Sequence, residues 1–251
     1  MEPEKINGVF ETMRCFQGKI IHLDWHLERM AACAKLADLK LPATVRQLEN
    51  EIYSTVKLNR LYDARVRLTL SRLPSGAEIS VFAKEYRPFS PKQYKAGFSA
   101  AVSSWRQDEC SLSARIKSTN RSLYNLSLEQ VRKKGFDEAI ILNRRGNICE
   151  GARSNIFFKV EGELFTPALS NGCLAGVTRR LIFTFAKKLR LKTYEGNFIL
   201  EDLGGCDEAF LTNSMLGVMP LTRLADRPIA DGKIGKTSES FLKNYQDLLK
   251  K

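Results

Sequence analysis

The chain has 251 residues, of which 43% are hydrophobic, and its 40 lysines and arginines against 28 acidic residues give a formal net charge of +12. This length and apolar content are enough for one large domain or two smaller ones with a buried core. No apolar run approaches the roughly 18 residues that a membrane helix needs, and the first residues lack the basic and apolar blocks of a signal peptide, so we expect a soluble, cytoplasmic protein without a membrane partner.

The excess of basic residues raises the question of nucleic-acid binding, which depends on neutralising phosphates. The basic residues come as separated pairs, such as Lys133–Lys134 and Arg179–Arg180, without a basic arm or a helical stripe. This pattern favours solvated faces with some attraction for small anions. The sequence therefore predicts no nucleic-acid partner.

Metal binding has little support in the sequence. The six cysteines are scattered and form no CxxC pair, which predicts reduced thiols, mostly buried. His22 and His26 have the i, i+4 spacing of zinc ligands, but the glutamate of an HExxH motif is missing and the chain has only these two histidines. We expect packing or capping roles for them, and no metal.

The first half of the chain predicts helices followed by a hairpin. Asp24 can cap the first helix, and Thr44 with Gln47 forms a capping box for the second. Two runs that alternate apolar and polar residues flank a Pro-Ser-Gly turn, which is typical of a β-hairpin. The predicted elements are a helix over 24–39, a helix from 44 to beyond 56, strands over 64–71 and 77–83, and a strand near 97–103.

The second half is richer in short strands. Tight connections between EAIILN, IFFKV and ELFTP predict a meander. Gly135 is the expected stop of a helix that runs from about Asn120 to Lys134. A helix over about 178–189, a strand near 208–212 and a last helix containing Phe241 complete the pattern. We therefore predict an α+β protein with a small α/β domain over 1–110 and a larger β-rich domain with flanking helices over 111–251.

Two stretches suit chemistry on physical grounds, although each also has an ordinary structural explanation. Lys117 precedes the helix predicted from Asn120, where a lysine is either a solvated cation or an amine that reacts. In LAGVTRRLIF, a turn of small residues enters a helix at Val177 and Thr178, whose N–H groups and dipole can receive a phosphate. Glu150, between two predicted strands, is either a turn residue or the partner of a buried cation.

Taken together, the order of the segments resembles the class IV aminotransferases, the fold-type IV pyridoxal-phosphate enzymes. This group contains branched-chain aminotransferases, D-amino-acid aminotransferases and aminodeoxychorismate lyases. The segments that carry the resemblance are FETMRCFQGKIIHLDWHLERM (10–30), RIKSTNRSLYNL (115–126), GFDEAIILNRRGNICEGARSNIFF (135–158), LFTPALSNGCLAGVTRRLI (164–182) and DEAFLTNSMLGVMPL (207–221). The resemblance also implies that the small domain is shortened at its start by about twenty residues.

The resemblance implies a role for individual residues. Lys117 matches the lysine that forms a Schiff base with pyridoxal 5′-phosphate and moves protons at the substrate Cα. Glu150 matches the acid that keeps the pyridine nitrogen protonated. The phosphate-binding residues that match are Arg29, Val177, Thr178 and Ser214. Arg67 lies where branched-chain enzymes have an arginine near the substrate carboxylates.

The resemblance leaves the reaction open. An aminotransferase would act on a small or branched amino acid and a 2-oxo acid, whereas the lyase would release pyruvate from aminodeoxychorismate in folate synthesis. Branched-chain enzymes show FEG and a tyrosine five residues past the lysine, where this chain has FET and Ser122, and the segments KSTNR and TNSMLGVMP look more like the lyase branch. A non-catalytic anion-binding or nucleic-acid-binding protein on the same fold is a third possibility, against which the intact Lys117 argues. Enzymes of this type are generally homodimers, and we expect the same here.

Overall fold

The structure, a computed structural model, describes residues 5–250 and contains helices and strands throughout. In chain order the elements are β1 (Gly8–Phe16), β2 (Lys19–Ile20), α1 (Leu23–Leu36), α2 (Val45–Leu58), β3 (Ala64–Leu73), β4 (Gly76–Glu85), α3 (Pro91–Ala96), β5 (Phe98–Gln107), α4 (Leu112–Arg115), α5 (Ser122–Arg132), β6 (Glu138–Asn143), β7 (Ile148–Gly151), β8 (Asn155–Val160), β9 (Glu163–Pro167), a 3₁₀ turn (Leu169–Asn171), α6 (Val177–Lys188), β10 (Thr193–Gly196), α7 (Leu200–Gly204), β11 (Glu208–Asn213), β12 (Gly217–Leu224), β13 (Arg227–Pro228) and α8 (Lys236–Leu249). None of the helices in this part of the chain has the length and apolar character to span a membrane.

Two compact units make up the chain, and their boundary differs from the single break predicted at residue 110. The first unit comprises the described residues of Met1–Pro88 with Ser111–Arg121, and the second comprises Phe89–Cys110 with the described residues of Ser122–Lys251. Long-range strand pairing causes the difference. Strand β5 pairs with β6 and β12 of the second unit, whereas Ser118 forms a β-bridge with Val9 of the first.

The first unit is built on a four-stranded antiparallel sheet in the order β2-β1-β3-β4. The predicted hairpin is confirmed, with β3 and β4 in register from Ala64↔Glu85 to Leu73↔Gly76. Alternation along β3 buries Val66, Leu68 and Leu70 against α1 and α2 and leaves the other face of the sheet for polar side chains. That second face carries Arg65 and Arg67.

Helix termini in the first unit confirm one cap and correct another. Thr44 Oγ1 accepts a hydrogen bond from the Gln47 N–H, and Gln47 Oε1 accepts one from the Thr44 N–H, which is the predicted capping box of α2. Helix α1 begins at Leu23 with His22 as its N-cap in a left-handed conformation (φ 51°). Asp24 was therefore wrongly predicted as the cap, and it lies in the first turn, where its charge favours the helix dipole.

The second unit contains a nine-stranded mixed sheet with strand order β10-β9-β8-β11-β12-β5-β6-β7, and β13 pairs with β12. Phe210 of β11 stacks on Phe157 of β8, and Phe241 of α8 packs edge-on against Phe210. Helix α6 joins the same aromatic layer through Phe185. Helix α6 packs against β11 and α8. The α+β class is therefore confirmed.

Candidate active site

In the first unit, a buried carboxylate holds the side chain of Arg29. Arg29 Nε donates to Glu11 Oε1 at 2.7 Å, and Arg29 Nη2 donates to Glu11 Oε2 at 2.6 Å. His26 Nδ1 lies 2.6 Å from the same Oε2. Such two-pronged, charge-assisted bonds fix the plane and the direction of a guanidinium. Arg29 is thus a held cation, and not the mobile surface arginine that helical spacing alone would allow.

The charges of this cluster follow from burial and neighbours. Burial alone would raise the pKa of Glu11, but the charges and hydrogen bonds of Arg29 and His26 outweigh it and lower the pKa to about 2. Burial lowers the pKa of His26, although the Glu11 carboxylate acts against it. At neutral pH we therefore treat His26 as a neutral imidazole that donates Nδ1–H to Glu11, with Arg29 as the charged partner. His26 therefore has a structural role as a hydrogen-bond partner of Glu11.

Lys117 lies in an extended segment that pairs with β1. Phe10 N–H donates to the Lys117 carbonyl at 2.9 Å, and Thr119 N–H donates to the Gly8 carbonyl at 2.9 Å. The backbone N–H of Lys117 points to Cys33 Sγ at 3.4 Å. The helix predicted from Asn120 begins at Ser122, so that Lys117 is held by a strand and not by a helix terminus. Because both the N–H and the carbonyl of Lys117 have hydrogen-bond partners, the backbone position from which its side chain extends is fixed.

The Lys117 amine lies in the neighbourhood of the buried cluster and of Phe10. Lys117 Nζ is 4.7 Å from the centroid of the Phe10 ring. Its charge adds to the effects that lower the pKa of His26, after burial and alongside Arg29. The backbone amide of Lys117 also contacts Cys33, one turn from Arg29 on α1, so the first unit places Arg29 and Lys117 on neighbouring segments.

Arg67 also contacts the ring of Phe10. Its Cζ lies 3.9 Å from the centroid of the Phe10 ring, and its Nε donates to Thr69 Oγ1 at 3.4 Å. Burial lowers the pKa of Arg67, and the charges of Arg65 and Arg121 add to this effect. Within residues 5–250 neither Arg65 nor Arg67 forms an ion pair with an acid. Half-buried like charges of this kind make a suitable place for an anionic group.

In the second unit, Glu150 is buried on β7 and accepts two hydrogen bonds through one oxygen. Leu174 N–H donates to Glu150 Oε2 at 3.0 Å, and Asn155 Nδ2 donates to the same atom at 3.2 Å. Only 5% of Glu150 is exposed. Donors of this kind favour the ionised carboxylate.

Helix α6 begins at Val177, one residue before the predicted start, and presents an uncapped first turn. Its N-cap is Gly176, and no side chain caps the helix. A Cβ at Gly176 would lie 2.0 Å from Asn155 Oδ1, so that only glycine fits. The N–H groups of Val177 and Thr178 in the first turn point out of the helix start, where anions bind. Thr178 is buried and adds a hydroxyl.

Ser214 lies in the tight turn between β11 and β12, which Asn213 stabilises. Asn213 Oδ1 accepts hydrogen bonds from the amides of Met215 and Leu216 at 2.8 and 2.7 Å. Tyr245 of α8 donates its hydroxyl to the Ser214 carbonyl at 2.9 Å. These bonds hold the backbone of the turn, and Ser214 itself is half-buried.

Two residues of this arrangement were missed by sequence analysis, and each left a signal. Glu11 faces the core side of β1 between Val9 and Met13, where an acid needs a buried cation as its partner. Asn155 opens the apolar strand β8, where a buried amide needs hydrogen-bond partners. In both cases the sequence shows that a partner is needed, whereas only the fold shows which one.

Comparisons with known proteins identify the family of the chain. The family model described as Amino-transferase class IV matches residues 8–224. The aminodeoxychorismate lyase of Bacillus subtilis is 33% identical over 234 residues, which cover 87% of this chain and 78% of the relative. A putative branched-chain-amino-acid aminotransferase of Methanocaldococcus jannaschii is 27% identical over 251 residues, covering 96% and 87%. The solved branched-chain aminotransferase of Thermoproteus uzoniensis with norvaline superposes with a TM-score of 0.88 at 27% identity, covering 97% of this chain and 86% of the other.

The fold is thus that of the class IV aminotransferases. The chain belongs to that family, because the family model spans most of its length. The members of this family are pyridoxal-phosphate enzymes, both aminotransferases and lyases. The resemblance predicted from the sequence is confirmed.

Proposed function

We propose that the protein is a pyridoxal-phosphate-dependent aminotransferase, which moves an amino group between a small or branched amino acid and a 2-oxo acid. The observation that carries the proposal is the position of two cationic side chains, Lys117 and Arg67, at the ring of Phe10. The backbone amide of Lys117 also contacts Cys33, which lies one turn from Arg29 on α1. A reactive amine and cations for a phosphate and a carboxylate are the groups that this chemistry needs.

The described residues fit the cofactor by charge and by donor type. A phosphate needs directed cationic and N–H donors: the first unit offers the held guanidinium of Arg29, and the second unit offers the uncapped start of α6. A protonated ring nitrogen needs an ionised acid, and Glu150 accepts two N–H donors that favour this form. In the proposal Arg29, Val177, Thr178 and Ser214 bind the phosphate, and Glu150 binds the ring nitrogen.

Pyridoxal phosphate, when bound, supplies an electron sink for the carbanion formed at the substrate Cα. Lys117 would hold the cofactor through Nζ, and once the substrate amino group has displaced it, the free Nζ amine would take up the Cα proton and return it. Glu150 would favour the protonated form of the cofactor's ring nitrogen, because a nearby anion stabilises a cation. Arg67 orients the substrate through its carboxylate, beside the ring of Phe10.

The lyase reaction is the second candidate, and two observations favour it. The Bacillus subtilis relative at 33% identity is an aminodeoxychorismate lyase, and the segments around Lys117 and Ser214 resemble that branch. The two reactions share the proposed roles of Lys117 and Glu150. They are distinguished by the substrates that each reaction consumes. An aminotransferase needs a 2-oxo acid acceptor, whereas the lyase releases pyruvate from aminodeoxychorismate without one.

Covalent attachment at Lys117 tests the proposal. The purified protein is incubated with pyridoxal phosphate, reduced with borohydride and digested, and the modified lysine is located by mass spectrometry. We expect the adduct on Lys117 and its loss in Lys117→Ala. The matched control is Lys133→Ala, which removes an exposed lysine paired with Glu129 on α5 and is expected to leave the adduct in place.

Two outcomes would contradict the proposal: no adduct at Lys117, or equal labelling of many lysines. A panel of amino acids with 2-oxo acid acceptors, run beside aminodeoxychorismate alone, then decides between transamination and pyruvate release. The homodimer and the cytoplasmic location remain predictions. Sedimentation analysis of the purified protein checks the first of them.

A further inference from the structure

Asn155 contacts both functional parts of the second unit. It is 7% exposed at the start of β8. Its Nδ2 donates to Glu150 Oε2 at 3.2 Å and to the Leu174 carbonyl at 2.8 Å. Its Oδ1 lies beside Gly176, only 2.0 Å from the position that a Cβ of residue 176 would take. The side-chain amide of Asn155 therefore contacts both Glu150, the acid proposed to pair with the ring nitrogen of the cofactor, and the turn that leads into α6.

The contacts form a closed ring of hydrogen bonds. Leu174 N–H donates to Glu150 Oε2 at 3.0 Å, and the Leu174 carbonyl accepts from Asn155, which itself donates to Glu150. The carboxylate is thereby tied to residue 174, three positions before the first residue of α6. In a buried site such a network fixes distances that single bonds would leave adjustable.

We propose that Asn155 is a positioning residue that sets the Glu150 carboxylate and the start of α6 at one separation, so that a single ligand engages both. The inference rests on the proposed function, because the ligand it concerns is pyridoxal phosphate. Asn155 acts through Glu150 and through the 174–177 turn. It supplies no reacting group.

Only a primary amide meets these demands. Its NH₂ group provides two donors, one for Glu150 and one for Leu174, and its oxygen fills the space beside Gly176. Aspartate has nearly the same shape but no donor, and it would bring a second negative charge next to Glu150. Alanine would remove both donors and leave a gap beside the turn.

Three ligands separate a positioning role from a general structural one. Dissociation constants are measured for pyridoxal phosphate, for pyridoxal, which lacks the phosphate, and for 1-deaza-pyridoxal phosphate, in which a CH group replaces the ring nitrogen. The proteins are the wild type, Asn155→Ala and Asn155→Asp. The matched control is Asn143→Ala, which removes a buried asparagine whose side-chain oxygen accepts from the amides of its own turn, Arg145 and Asn147.

We expect the preference for pyridoxal phosphate over the deaza analogue to fall in both Asn155 variants, because Glu150 is no longer held in place. The expected fall is roughly tenfold, which corresponds to about 1.4 kcal/mol of binding free energy. The preference over pyridoxal should fall as well, because the turn before α6 is no longer held. In Asn143→Ala both preferences should equal those of the wild type. Asn155→Asp keeps the side-chain volume and serves where Asn155→Ala yields too little folded protein.

An equal loss of affinity for all three ligands, or unchanged preferences, would overturn the positioning role while leaving the proposed function intact. Failure of the wild type to bind pyridoxal phosphate would overturn the proposed function, and the inference with it.

Discussion

Arg67 and Lys117 lie against the same aromatic ring, with Arg67 Cζ 3.9 Å and Lys117 Nζ 4.7 Å from the centroid of Phe10. Both distances end at one point, so the two cationic groups can be no farther apart than the two distances combined. Cations at such a separation repel each other, while the ring face stabilises each of them. A bound carboxylate would relieve this repulsion, which makes the face of the ring a suitable place for the substrate acid.

Replacement of Arg67 tests this arrangement. We expect Arg67→Ala to raise KM for the acid substrate by roughly 10- to 100-fold, because a two-pronged arginine–carboxylate contact is lost. Affinity for pyridoxal phosphate should stay the same. Arg67→Lys should recover only part of the loss, since a lysine offers no planar fork. Steady-state kinetics measures both effects, and Arg46→Ala, an exposed position on α2, is the control. An unchanged KM would count against a substrate contact.

Removal of the charge at residue 150 should reduce turnover more than stability. In Glu150→Gln, the remaining side-chain oxygen can still accept from Leu174 and Asn155, so that the melting temperature should change little. A neutral amide does not favour a protonated ring nitrogen, so kcat should fall by roughly 100-fold or more. Glu163→Gln, which alters an acid paired with Lys192 at the surface, is the control. Turnover close to the wild-type rate would argue against the proposed role of Glu150.

Gly176 should resist replacement for reasons of space. Its φ of −69° suits any residue, but the Cβ of an alanine would meet Asn155 Oδ1 at 2.0 Å. We expect Gly176→Ala to lower the free energy of unfolding by about 1–3 kcal/mol, as overpacking does, and to weaken binding of pyridoxal phosphate.

The control for this prediction is Gly204→Ala in α7, where a Cβ would meet nothing within 4 Å. A helical alanine there should be neutral or stabilising by up to about 1 kcal/mol. Urea denaturation compares the two variants. Equal stability of Gly176→Ala and wild type would show that the turn yields to the added methyl group.

Acid should destabilise the protein partly through Glu11. The pKa of this carboxyl is lowered from 4.5 to about 2, since Arg29 and His26 outweigh the effect of burial. A lowered pKa contributes stability above the unfolded value that is lost as the pH falls from about 4.5 toward 2, on the order of 3 kcal/mol in total. Glu11→Gln should therefore be less stable than wild type at pH 7, and the difference should shrink across this window.

Thermal or urea unfolding at a series of pH values measures this difference. His26, whose pKa burial lowers, also favours unfolding in acid, so each variant is compared with wild type at the same pH. Glu51→Gln on the exposed face of α2 is the control, for which we expect no such trend. A difference between Glu11→Gln and wild type that stays constant from neutral pH to the acid limit would be inconsistent with a charged Glu11 in the folded state.

Local patterns predicted much of the fold because their causes are local. The capping box at Thr44 and Gln47 needs only two residues three apart, and the β3–β4 hairpin needs only alternation around a turn. Asp24 failed as a cap because the chain enters α1 through His22 in a left-handed conformation, which the residue type alone does not indicate. The single domain boundary predicted at residue 110 differs from the observed division for a similar reason. Strand β5 and the segment after it pair with strands that are distant in the chain.

The sequence by itself determined the kinds of group available: an amine at Lys117, an acid at Glu150, a small-residue turn before α6, and the chain order that resembles one family. Tertiary structure alone decided which partners these groups have, such as Glu11 for Arg29, Phe10 for Lys117 and Asn155 for Glu150. The physical reason is range. Periodicity and capping act over a few residues, whereas a buried charge finds its partner through strand pairing between segments that lie far apart in the chain.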